Sequence, residues 1–188
     1  GATLPALAQA VGNPDLLREE APGEWLLGAD ISLMPGTSLQ ISATTTRWLK
    51  LLSTAGRFAS VKAFDAGIDV TGACITSWDP AKGTVDTDPA DGRGYLLARD
   101  GAQMNIDHAE IRYLGHGAVE SYGLSWRTEG TTGKLTNSVV SNNYFGLYSY
   151  EVGGLVVTDN EIHDNVLYGI DPHTGSHNLT IERNVVHD

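Results

Sequence analysis

The sequence predicts an all-β fold, a right-handed parallel β-helix with about 23 residues per coil and a short N-terminal helical cap. Three observations carry that prediction. Tyr122-Gly-Leu-Ser-Trp-Arg127, Phe145-Gly-Leu-Tyr-Ser-Tyr150 and Tyr168-Gly-Ile-Asp-Pro-His173 align without gaps, and their glycines, Gly123, Gly146 and Gly169, recur every 23 residues. A second column, Asn137, Asn160 and Asn184, recurs after 23 and 24 residues. Around both columns β-branched residues alternate with polar ones, and Gly and Asn fall at the turns. A leucine-rich repeat shares the period but needs a dense leucine frame that this chain lacks. Short strands stacked coil on coil fit instead.

The first third reads differently. Residues 1–35 are expected to form a cap region and 36–188 the β-helix. Leu4 to Ala10 and Leu16 to Glu20 are helix-compatible and are broken by Gly12-Asn13-Pro14, with Asn13 or Asp15 available to cap the second piece. Short β-rich runs follow at Glu24–Leu27, Ser38–Ile41 and Trp48–Leu52, and the Asp-, Pro- and Gly-rich stretch Asp79–Gly94 reads as a loop. Trp25, Trp48 and Trp78 lie outside the repeat and are expected to fill the core or the cap.

Composition narrows the function. Twelve Lys+Arg against twenty-three Asp+Glu give a formal net charge of −11, a poor match for nucleic acid or an anionic membrane. No apolar run approaches the ~20 residues of a membrane span. Cys74 is the only cysteine, so no internal disulfide can form. The chain opens on Gly1, which reads as a processed terminus. It closes at Asp188 in mid-repeat, where a β-helix would expose a bare strand edge, so further coils are expected beyond it.

The register locates a candidate site. Leu124, Leu147 and Ile170 share an apolar column and point inward, so their following neighbours point outward. The outward columns are Ser125/Tyr148/Asp171 and Arg127/Tyr150/His173. Aromatics beside charged groups suit sugar rings, which have apolar faces and hydroxyl edges. The stacked asparagines are read as structural, bonding one another or the turn backbone. His163 and His187 are read as solvated turn residues. No metal site is expected, at those histidines or at Asp159, Asp164 and Asn165.

The strings Tyr168-Gly-Ile-Asp-Pro-His173 and Asn178–Asp188 resemble the mannuronan C-5 epimerases, which carry a Tyr-Gly-(Ile/Phe)-Asp-Pro-His motif. Tyr144-Phe-Gly-Leu-Tyr-Ser-Tyr-Glu151, Asp164-Asn-Val-Leu-Tyr168 and Met34-Pro-Gly-Thr-Ser-Leu39 are most similar to the periplasmic, alginate-biosynthesis group. The resemblance implies that His173 is the base for the C5 proton, that Asp171 orients or tunes it, and that Tyr168 is a proton donor or acceptor. It implies a periplasmic or secreted enzyme acting on an anionic polysaccharide, polymannuronate or alginate, with a biosynthetic or export complex as a further partner to expect. Position 174 departs from the periplasmic pattern: Thr174 stands where that group has Asp.

Inverting C5 requires a cation to neutralise the adjacent carboxylate and hold the enolate-like intermediate, a base, and a donor on the opposite face. Arg127 is the local candidate for the cation and Arg183 the runner-up. Ser125, Tyr148, Tyr150 and Pro172 complete the expected binding residues, and no cofactor is needed. A uronate lyase begins identically and then expels the 4-linked sugar. A non-catalytic carbohydrate-binding β-helix is the alternative from another class.

Overall fold

A computed structural model describes all 188 residues. It is a right-handed parallel β-helix with three sheets. Each coil runs through sheet B, sheet C and sheet A in turn. Sheet C, which carries the candidate site, stacks Ile31–Leu33, Val61–Phe64, Leu96–Arg99, Gly123–Arg127, Phe145–Tyr150 and Ile170–Pro172 in parallel.

The core is a set of aliphatic ladders, because a residue repeated once per coil lies over its copy. Sheet C contributes Ile31, Val61, Leu96, Leu124, Leu147 and Ile170. Sheet B contributes Trp25, Leu49, Ile75, Ile111, Val140 and Ile162, and sheet A contributes Ile41, Val70, Ile106, Leu135 and Val157. Trp126 also points inward, and its indole N–H donates to the Met104 carbonyl at 3.1 Å. Gly133 makes room for it: a Cβ there would sit 2.6 Å from the indole nitrogen and 2.0 Å from the Met104 oxygen.

Several expectations are corrected. Leu17–Ala21 is a strand, not a helix; Pro22-Gly23 turns it back onto Glu24–Leu27 as an antiparallel hairpin, and Gly23 takes the left-handed φ of 75° that the turn requires. Only Leu4–Val11 is helical, capped by Thr3 and ended by Gly12 at φ 64°. Residue 36 is no boundary, since Ala2–Thr3, Glu24–Leu27 and Ile31–Leu33 already pair into the three sheets. Trp25 is in the core, but the Trp48 and Trp78 side chains lie on the outer face of sheet B, because Leu49 and Ile75 take the inward positions. The Lys50 ammonium sits 4.5 Å from each of those indole rings.

The asparagine column is real but shifted by one residue. Asn184 Oδ1 accepts from the Asn160 amide at 3.0 Å, and Asn160 Oδ1 accepts from the Ser138 amide at 3.0 Å. The third rung is therefore Ser138. Asn137 instead takes a left-handed turn position at φ 50°, and its side chain bonds Asp107.

The 23-residue period holds on sheet C from Ser125 onward but slips at Gly123, whose register partner is Phe145 rather than Gly146 because the register shifts between Gly123 and Ser125. Ser125, Tyr148 and Asp171 are register partners 23 residues apart, whereas Val61 and Leu96 are partners 35 apart. The added residues lie between a sheet B strand and the following sheet C strand: a hairpin at 53–58, the loop 80–94 and the segment 115–121. They are stitched together. Ser53 Oγ donates to Asp86 at 2.7 Å, buried Arg93 donates to the carbonyls of Gly115 and Leu114, and the Phe58 ring lies 4.6 Å from His116. These insertions form a wall along one rim of sheet C.

Candidate active site

The outer face of sheet C carries two columns of side chains. One runs Ser32, Lys62, Leu97, Ser125, Tyr148 and Asp171. The other runs Phe64, Arg99, Arg127 and Tyr150, and His173 follows at the end of the last strand. The His173 amide donates to the Ser149 carbonyl at 2.8 Å, which holds this residue in the stack.

His173, Tyr148, Tyr150 and Arg127 form one group. The imidazole stacks on Tyr148 at 5.5 Å and on Tyr150 at 6.1 Å, with interplanar angles of 29° and 28°. The Arg127 guanidinium lies 5.0 Å from the Tyr148 ring centre and 5.2 Å from that of Tyr150. Cation and imidazole thus meet the same two phenol rings. Burial pushes the Tyr148 phenol above its ordinary pKa, the Arg127 guanidinium pulls it back, and the Tyr122 and Asp171 charges push it up again.

The other expected residues divide. Asp171 is a register partner of Tyr148, half-buried, and faces the groove without a hydrogen bond to His173. Tyr168 stands at the B–C corner, 61% exposed, in an aromatic stack with Phe145 at 5.7 Å and Tyr122 beyond it. Ser125 faces outward but is fully buried, since the longer side chains of Leu97 and Tyr148 rise on either side of it. It is not presented to a ligand. Pro172 shares the inward column of Trp126 and Ser149, so strand alternation takes it off the groove. Arg183 is remote: it lies at the A–B corner in a bidentate pair with Asp159, at 2.7 and 2.8 Å. The groove is also less open than expected, because Arg127 and Tyr148 are buried.

Three groove residues escaped the sequence reading. Arg99 is the register partner of Arg127, Lys62 lies one column over, and Glu120 projects from the 115–121 segment. The Glu120 carboxylate bonds the Arg99 guanidinium and lies 4.0 Å from Arg127 Nε. Lys62 pairs with Asp30 at 2.7 Å. Burial depresses the Lys62 ammonium, but the hydrogen bonds and charges of Asp30 and Tyr95 together outweigh it and hold the pKa above the ordinary lysine value. Strand parity marks Arg99 and Lys62 as outward, but the irregular coil lengths hid their alignment with Arg127.

Comparison with known proteins agrees with this architecture. Residues 89–188 match the family model described as the right handed beta helix region. The chain belongs to that family. The mannuronan C5-epimerase of Pseudomonas aeruginosa is 28% identical over 196 residues, covering 96% of this chain and 35% of that protein. The mannuronan C5-epimerase of Pseudomonas fluorescens is 31% identical over 184 residues, covering 91% of this chain and 34% of that protein. A crystal structure of the periplasmic alginate epimerase AlgG superposes with a TM-score of 0.88 at 25% identity, over 97% of this chain and 45% of that one. The chain therefore spans about a third of the length of the curated relatives it matches.

Proposed function

We propose that this chain carries catalytic coils of an enzyme that epimerises mannuronate to guluronate at C5 within an alginate-like polymer. The observation that supports it most is the group on sheet C: a base and a cation sharing two aromatic rings at the rim of a polymer-length face. The names of the relatives point the same way.

The C5 proton is weakly acidic because its removal places charge beside a carboxylate. A guanidinium at that carboxylate, Arg127 in this reading, stabilises the doubly negative enolate-like intermediate. His173 takes the proton on a ring nitrogen and becomes imidazolium. Asp171, facing the same way two residues earlier, is the carboxylate that accompanies the base in this reading. A donor on the opposite face, water or the Tyr168 hydroxyl, delivers a proton to C5 and inverts it. Both groups then re-equilibrate with solvent, and no bond of the polymer breaks. Tyr148 and Tyr150 offer flat faces to the sugar rings. The periplasm is the compartment given for the structural relative, and a biosynthetic or export complex is the setting proposed for this chain.

Proton NMR of polymannuronate incubated with the protein tests the reading. New guluronate signals at constant chain length are expected. An unsaturated ultraviolet chromophore would replace the epimerase by a lyase. Binding without either change would leave a carbohydrate-binding β-helix.

A further inference from the structure

Arg99 and Arg127 stand in adjacent coils as register partners, with side chains on the same outer face. Two guanidiniums so placed repel one another unless an anion lies between them. Two anions stand there: Asp100, which accepts from Arg99 Nε at 2.9 Å, and Glu120. The Glu120 carboxylate bonds the Arg99 guanidinium and lies 4.0 Å from Arg127 Nε, too far for a hydrogen bond. Arg127 is nine-tenths buried, and its Nη1 is buried with no hydrogen-bond partner. The arginine pair is therefore only partly satisfied by the protein's own carboxylates.

The way Glu120 is carried matters as much. It belongs to a strap, residues 115–121, whose two ends are joined by the His116 amide donating to the Ser121 carbonyl at 2.7 Å. Arg93 clamps the strap's base through the Leu114 and Gly115 carbonyls. The tip is exposed at Gly117, Ala118 and Val119, and the Ala118 carbonyl accepts from the Ser121 amide at 3.1 Å. A pinned base with an exposed tip lets the strap swing without disturbing sheet C.

We propose that Arg99 and Arg127 form a binding subsite for the carboxylate of a uronate unit, and that Glu120 occupies this subsite until the polymer displaces it. The inference rests on the reading of this face as the polymer groove. Displacement exchanges one carboxylate for another, so it discriminates against neutral sugars, which cannot replace the lost ion pair. It also lets a chain of net charge −11 hold a polyanion: the local field turns positive only when the strap leaves.

The test is calorimetric binding of a six-unit mannuronate oligomer to the unmodified protein, Glu120→Gln and Glu129→Gln, at low and high salt. Glu129 is exposed at the next corner and controls for the change in net charge. Glu120→Gln should bind about tenfold more tightly at low salt and lose most of that gain at high salt, while Glu129→Gln changes affinity less than about twofold. Equal or weaker binding by Glu120→Gln overturns the proposal, as does an equal gain in Glu129→Gln or no binding by any of the three. Hydrogen exchange on the unmodified protein is the second readout. The Ser121 amide, which donates to the Ala118 carbonyl of the tip at 3.1 Å, should exchange faster with the oligomer bound, and unchanged or slower exchange overturns the proposal. Guluronate formation is followed by NMR in the same samples. Its absence beside the expected binding pattern removes the epimerase reading and leaves the subsite standing.

Discussion

The imidazole of His173 and the phenol ring of Tyr148 lie 5.5 Å apart with their planes inclined by only 29°. Stacking fixes the plane of the imidazole through its faces and leaves its nitrogens at the edge, free to meet a substrate proton. His173 itself is exposed, so the fold does not depend on it. His173→Ala should lower guluronate formation about 10²–10⁴-fold, the range for loss of a positioned base. Its thermal unfolding should stay within a degree or two of the parent, on the order of a neutral surface change. Retained turnover measured by NMR would remove His173 from the mechanism.

Arg127 is held against Tyr148 and Tyr150 by position in the stack, and its charge acts on Tyr148. Burial raises the Tyr148 pKa and the guanidinium opposes that rise by favouring the phenolate. Arg127→Met keeps the length of the side chain and removes the charge. The Tyr148 phenol should then ionise at still higher pH. Ultraviolet titration of Arg127→Met against Arg127→Met/Tyr148→Phe isolates this one phenol among the seven tyrosines. A downward movement would mean that the cation does not face the ring.

Much of this was legible in the sequence, for a physical reason. Where the coils are uninterrupted, sequence spacing equals spatial stacking, so Leu124, Leu147 and Ile170 announce the inward face and Tyr148, Tyr150 and His173 the outward one. Insertions at the B–C corner break that equality. They hid Arg99 and Lys62, whose column neighbours are 28 and 35 residues away. Chain periodicity also says nothing about what folds over a face, which is why burial of Ser125 and Arg127 was missed. Arg183 shows the remaining limit: its charge is visible in the sequence, but its pairing with Asp159 across a turn is visible only in space.

The ladder at the A–B corner should be costly to break. Asn160 accepts from the Ser138 amide and donates to the Leu135 carbonyl at 2.8 Å and to Asn184 Oδ1 at 2.9 Å. Asn160→Ala strands a buried amide and a buried carbonyl, which costs about 2–4 kcal/mol. A lower urea midpoint at unchanged slope is the expected result. Asn137→Gly, which keeps the left-handed turn at φ 50°, should cost far less, since Asn137 is exposed and off the ladder.

Asp107 sets part of the acid limb of stability. Hydrogen bonds from Thr136 and Asn137 hold its carboxyl well below the ordinary carboxylate range, with the neighbouring His108 adding to the effect. A group whose pKa is depressed on folding contributes above its unfolded value, near 3.9, and loses that contribution as the pH falls further. Asp107→Asn should therefore be less stable than the parent at pH 7, with the gap closing below about pH 4. Urea midpoints at several pH values decide it; a gap that widens in acid would reverse the assignment.

Arg93 joins the wall to the site. It is 1% exposed, and burial pulls its pKa down to about 10. Its guanidinium donates to the Gly115 carbonyl at 3.0 Å and to the Leu114 carbonyl at 3.3 Å, where the strap carrying Glu120 begins. Arg93→Met removes a buried charge and its desolvation cost but takes the donor from the Gly115 carbonyl, while the Leu114 carbonyl keeps the Tyr144 amide at 2.8 Å. These terms oppose one another, so global stability should fall by only about 1–2 kcal/mol. The local effect should be larger. With its base released the strap opens more often, so hydrogen exchange should accelerate at residues 115–121 and stay unchanged in the sheet C strands. Exchange that accelerates equally in strand Gly123–Arg127 would mean that Arg93 supports the coil as a whole rather than the strap.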